Sequence, residues 1–143
     1  MNTPQPQAQQ ADRATSAKRA TRAVSRLASF GHALRGLRVF VSQPNARIHC
    51  AAAVVVVALG WWLGVGRLEW TALLLAMALV MGAEAMNTAL EYVVDLASPD
   101  WHPLARDAKD VAAGAVLVCS LGAAAVGLLV FLPYFLPDFL PYL

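Results

Sequence analysis

The run from Val111 to Pro137 contains no charged side chain. Such a segment has no polar face to offer water, whereas a helix of about 20 apolar residues crosses the hydrocarbon core of a bilayer with its backbone hydrogen bonds made internally. A second charge-free run, Cys50 to Gly66, supports the same reading, with Ile48 and Leu68 at its flanks. Of the 143 residues, 59% are apolar and 14% charged. Soluble domains average about 45–50% and about 25%, so an ordinary water-soluble globule is excluded and one small membrane domain fits. The expected fold class is an all-α membrane protein, three transmembrane helices preceded by an amphipathic surface helix.

The chain divides accordingly. Residues 1–14 are polar, carry Gln and Pro, and have nothing to bury, which predicts a disordered tail. Over 15–42, Leu27, Phe30, Leu34, Leu37 and Val41 recur at spacings of three and four, the stripe of a helix lying on a membrane surface or on partner helices. Gln43, Pro44 and Asn45 interrupt it and open a three-span domain, 43–135, with spans predicted at about 49–66, 70–96 and 108–132. Gly64, Gly66 and Arg67 predict a tight turn bracketed by Trp61, Trp62 and Trp70 as interfacial anchors. The ending repeats Phe-Leu-Pro every four residues, so the last span is expected to stop near Phe131 and 133–143 to form a Pro/aromatic interfacial tail.

Eight of the eleven Lys and Arg residues precede Cys50, where the only acidic residue is Asp12. Spans follow this basic end, so it reads as a topology signal toward an anionic leaflet, not as a nucleic-acid arm. With Arg106 and Lys109 in the second connection, the amino end and that connection are expected in the cytoplasm and the carboxyl end outside. Cys50 and Cys119 sit in apolar runs without neighbouring His or Cys and read as small core residues. No apolar segment of signal-peptide length occupies the first 25 residues.

The second span holds the informative anomaly. Glu84, Asn87, Glu91 and Asp95 are spaced three, four and four apart and project from one side of a helix. A carboxylate near mid-membrane costs at least about 2.5–3.5 kcal/mol, so the stripe requires a partner, a cation or water; Asp95 could also cap or pair at the interface. Asp107, Lys109 and Asp110 open the third span on the same side. Oxygen ligands of this kind suit Mg²⁺, which relies on one or two carboxylates plus substrate phosphates, and a lysine neutralises phosphate as a point charge. Both lysines, Lys18 and Lys109, follow alanine, so no Gly-Lys-Ser/Thr phosphate loop exists, and no soluble-kinase motif or Ser or Cys nucleophile arrangement is present.

The stretch Glu84-Ala85-Met86-Asn87-Thr88-Ala89-Leu90-Glu91-Tyr92-Val93-Val94-Asp95 resembles the signature of the prokaryotic diacylglycerol kinase family, which includes undecaprenol kinases. The likeness continues through Trp101 to Ala105, Ala108 to Val116, Asn45 to His49 and Gly36 to Arg38, and covers roughly Phe30 to Phe135. It implies a bacterial inner-membrane lipid kinase, a homotrimer with active sites shared between subunits, that transfers the ATP γ-phosphoryl group to a lipid hydroxyl with Mg²⁺. Carried over by position, Glu84 matches the general base, Asn87 and Asp95 the lipid-side residues, and Glu91 a metal and nucleotide ligand. Asp100, Trp101, His102, Lys109 and Asp110 match nucleotide contacts. One position departs: the family's second metal-ligating glutamate falls on Gln43, a neutral amide. The segments at His102 to Leu104 and Asp110 to Gly114 look closer to the undecaprenol than to the diacylglycerol branch. The rival reading is a small ion or proton transporter, which also uses an intramembrane carboxylate stripe; a purely structural membrane protein would leave the carboxylates without purpose.

Overall fold

The computed structural model describes residues 28–136. The tail expected at 1–14, the first part of the surface helix (15–27) and the end of the proline-rich tail (137–143) lie outside the described residues. Four helices follow in order: α1 (28–42), α2 (Pro44–Leu63), α3 (Arg67–Ala97) and α4 (Pro103–Phe135). The chain divides into two compact units, Met1–Val39 and Phe40–Leu143. In the first, helical residues 28–39 expose Phe30, Leu34 and Leu37. The second contains α2, α3 and α4, each long and apolar enough to cross a membrane.

Each boundary has a local cause. Pro44 opens α2 at the first helical position, where no N–H is needed. Gly64 closes it at φ +67°, the left-handed conformation that glycine reaches without steric cost, and Val65 N–H donates to Gly60 O at 3.1 Å. At the start of α3, Glu69 Oε2 accepts Gly66 N–H at 2.7 Å, an acidic first-turn cap. At the start of α4, Pro103 takes the first position and His102 Nδ1 accepts Leu104 N–H at 3.2 Å.

α3 packs chiefly along α4, with α2 leaning on α3. A small core of Val65, Leu73 and Val130 gathers beside the Gly64–Gly66 turn. Most other large apolar side chains face outward from the chain, Trp61 and Trp62 among them, as in helices of membrane-spanning length and composition. Two local expectations differ from the structure. Trp70 is half-buried, not a free-standing ring beside the turn: it lies where a Cβ on Gly60 would meet it at 2.9 Å and so packs into the α2–α3 hairpin. α4 runs through Pro133 to Phe135, beyond the break expected at Phe131. A proline this close to a helix end removes a single backbone bond, and Leu136 N–H still reaches Leu132 O at 3.0 Å.

Candidate active site

Of the polar stripe on α3, Glu84 and Asn87 are buried, at 2% and 5% exposure, with Thr88 beside them. Glu91, one turn further, is half-buried, and Asn87 Nδ2 donates to Glu91 Oε1 at 3.0 Å. That bond leaves Asn87 Oδ1 buried without a partner among the described residues. Glu84 likewise forms no hydrogen bond or ion pair among them.

Nearer the end of α3 the side chains open to solvent and pair across helices. Asp95 holds Lys109 of α4 in an ion pair, which brings two of the sequence candidates together. Asp110 does not join them: it is exposed and lies 3.7 Å from Arg106, which also approaches Asp107 at 3.4 Å. The connecting turn carries the remaining candidates. Trp101 is exposed, His102 serves as the α4 cap, and the Asp100 carbonyl accepts Ser98 Oγ–H at 3.0 Å. Gln43, at the N-cap of α2, donates through Nε2 to the Tyr92 hydroxyl at 2.6 Å, so its amide contacts the residue next to Glu91. Tyr92 was not singled out in the sequence, where only its place directly after Glu91 marks it.

A single helix thus presents a buried carboxylate, an amide and a second carboxylate in line, with a lysine clamped at the solvent end. The profile of the prokaryotic diacylglycerol kinase family matches residues 31–131. The chain belongs to that family. It is 41% identical over 106 residues to the undecaprenol kinase of Bacillus subtilis, covering 73% of this chain and 86% of that protein. It is 42% identical over 109 residues to a diacylglycerol kinase of Synechocystis, covering 75% of this chain and 62% of its relative. The Escherichia coli K12 diacylglycerol kinase is 32% identical over 94 residues, 65% of this chain and 77% of that one.

Family membership decides between the two functional readings: the protein is an integral-membrane lipid kinase, not an ion transporter. A nucleotide substrate follows from kinase chemistry. Among the described residues, no three His, Cys, Asp or Glu side chains cluster as a self-sufficient metal centre. The half-buried Glu91 carboxylate and the Gln43 amide, bonded to the adjacent Tyr92, nevertheless carry oxygen donors of the kind Mg²⁺ takes when phosphates complete its shell.

Proposed function

We propose that this kinase transfers the γ-phosphoryl group of ATP to the hydroxyl of a membrane lipid alcohol, undecaprenol before diacylglycerol, at the cytoplasmic interface. The observation that carries the reading is the buried Glu84 without a donor, aligned on one helix face with the Asn87–Glu91 pair. A carboxylate in that setting lacks exactly one thing that a lipid hydroxyl brings, a proton donor, and is suited to accept its proton as phosphoryl transfer begins.

On this reading Asn87 and Asp95 line the lipid side of the site. Glu91 faces the nucleotide, with Asn87 holding its carboxylate in place. Lys109 offsets phosphate charge, exchanging its bond to Asp95 for the nucleotide, and Asp100, Trp101, His102 and Asp110 frame the nucleotide at the exposed turn. Glu91, with the Gln43 amide carbonyl as a weaker second donor, would hold Mg²⁺. When bound, the ion neutralises charge on the phosphates. The preference for undecaprenol rests on the extended identity to the Bacillus subtilis undecaprenol kinase, which spans most of that protein.

We place the protein in the bacterial inner membrane, amino end and Ser98–His102 turn in the cytoplasm, carboxyl end outside, as the basic amino-terminal half and Arg106 and Lys109 favour. The functional unit is a homotrimer with active sites completed by neighbouring subunits. Gly114 and Gly122 on α4 support close association: an added Cβ there would meet nothing of the same chain within 4 Å, so packing within the chain does not require a glycine.

The test is phosphorylation by purified protein in mixed micelles with ATP and Mg²⁺, offering undecaprenol and diacylglycerol in parallel. Transfer is expected to both or either, and to fall by about a hundredfold or more in Glu84→Gln, the range of a lost general base. Full turnover in folded Glu84→Gln would overturn the role of Glu84.

A further inference from the structure

Gln43 has a fixed backbone and a side chain held at a single point. Its N–H donates to Phe40 O at 3.0 Å and its carbonyl accepts Arg47 N–H at 3.2 Å. Pro44 after it confines it to extended backbone, at ψ 139°. An N-cap side chain ordinarily accepts an N–H of its own helix, and Gln43 makes no such bond. It crosses to α3 instead, where Nε2 donates to Tyr92 Oη at 2.6 Å. Among the described residues no other side-chain hydrogen bond or ion pair joins α2 or its N-cap to α3. The core of the hairpin is about 30 Å away along α2, beside the Gly64–Gly66 turn, so it does not restrain this end.

The two ends of the Gln43 amide are not equivalent. Nε2 is committed to Tyr92, and Oε1 accepts no hydrogen bond among the described residues. A carboxamide binds a hard cation through its oxygen and keeps its N–H groups as donors. A phenol oxygen accepts one of these N–H groups while the amide oxygen is held by a cation. The Gln43–Tyr92 bond is therefore compatible with a metal bond at Oε1, and the two together satisfy both ends of the amide. Tyr92 follows Glu91 directly on α3, so the bond brings the amide to the level of the half-buried Glu91 carboxylate.

We propose that Tyr92 is a positioning residue: its hydroxyl holds the Gln43 amide by nitrogen and leaves the carbonyl oxygen to join Glu91 as a donor to a divalent cation. The proposal rests on the reading of Glu91 and Gln43 as the Mg²⁺ donors and adds what makes a neutral, flexible side chain competent there. A carboxylate attracts the ion by its charge from any nearby rotamer. An amide has only a dipole, so its contribution depends on being oriented before the ion arrives, and a partner that orders it beforehand removes that cost from binding. Groups that orient a metal ligand typically change affinity by about 10–100-fold. Tyr92 is 51% exposed and its bond joins two neutral groups, so an effect of about fivefold to tenfold is expected.

The experiment is a double-mutant cycle on the full chain in detergent micelles, with Mn²⁺ as the probe. Its affinity is read from the EPR signal of unbound ion, at a fixed concentration of a non-hydrolysable ATP analogue, in wild type, Tyr92→Phe, Gln43→Ala and the double variant. Tyr92→Phe deletes one oxygen and keeps a half-exposed ring, and Gln43→Ala removes no helix cap, so both fold; helix content and gel-filtration profile check this. Tyr92→Phe is expected to weaken Mn²⁺ binding about fivefold to tenfold, Gln43→Ala at least as much, and the double variant no further than Gln43→Ala. A loss from Tyr92→Phe that recurs undiminished in the Gln43→Ala background overturns the proposal, because the hydroxyl then acts elsewhere. Unchanged binding in Tyr92→Phe beside weakened binding in Gln43→Ala also overturns it and leaves Gln43 a metal donor. Gln43→Ala that binds Mn²⁺ as wild type does removes Gln43 from the site and the proposal with it. Unchanged binding in Glu91→Gln removes the metal reading of Glu91 as well.

Discussion

Replacing Asn87 by leucine tests whether the α3 stripe is a working site or a set of tolerated polar residues. Asn87 is 5% exposed, and its Nδ2 donates to Glu91 Oε1 at 3.0 Å. Leucine keeps the number of side-chain heavy atoms and the branching at Cγ, is a better helix former, and deletes the amide. A hydrogen bond to a charged group is worth about 1.5–3 kcal/mol, and about 1.4 kcal/mol is tenfold in rate, so losing the hold on Glu91 predicts a fall in kcat/KM for Mg-ATP of about tenfold to a hundredfold. Stability moves the other way or not at all, because the buried and unpartnered Asn87 Oδ1 disappears with the amide. The assay is steady-state phosphorylation in mixed micelles across a Mg²⁺ titration, beside thermal unfolding in the same detergent. Asn87→Asp replaces the donor by a second acceptor facing Glu91 and is expected to fall at least as far. Unaltered Mg²⁺ dependence and kcat/KM in Asn87→Leu, with the fold intact, would refute the claim that this amide positions Glu91.

Two further outcomes follow from the packing and the solvent-end charges. Gly60→Ala puts a Cβ 2.9 Å from Trp70 Cη2 and 3.0 Å from Cζ2, and the ring must shift; an overpacking cost of about 1–3 kcal/mol is expected, read as a lower unfolding midpoint with kcat unchanged. Lys109→Met keeps the apolar stem and removes the charge that Asp95 holds; the pair is partly exposed, so stability is expected to change by less than about 1 kcal/mol while KM for ATP rises about tenfold, and a loss of stability that matches the loss of activity would count against a nucleotide role.

The three spans and the face of α3 were legible because both are periodic: charge-free length marks a helix that crosses a bilayer, and steps of three and four put Glu84, Asn87 and Glu91 on one side. What crosses between helices was not legible. The Gln43–Tyr92 bond joins residues 49 positions apart, and no local spacing encodes that registration. Lys109 announced a charge near the site but not that Asp95 would hold it, nor that Asp110 would turn to Arg106 instead. Trp70 carried the composition of an interfacial anchor, and only the close approach that Gly60 allows turns its ring into the hairpin. Pro133 signalled a break in general terms, yet its cost depends on how much helix follows, and here only two residues do.

The order of groups along α3 explains how so small a chain can serve two substrates of opposite solubility. Between Glu84 and Asp95 the helix rises about 16 Å, and over that distance the side chains pass from the buried Glu84, at 2% exposure, to the exposed Asp95. A lipid alcohol confined to the bilayer and a nucleotide confined to water can meet only where such a gradient is crossed. On the proposed reading, the buried end accepts a proton, the middle pair orients, and the exposed end with Lys109 receives phosphate. The expense of placing carboxylates in a transmembrane helix is then offset by what a soluble kinase must build from separate loops: a fixed, graded environment along one rigid element.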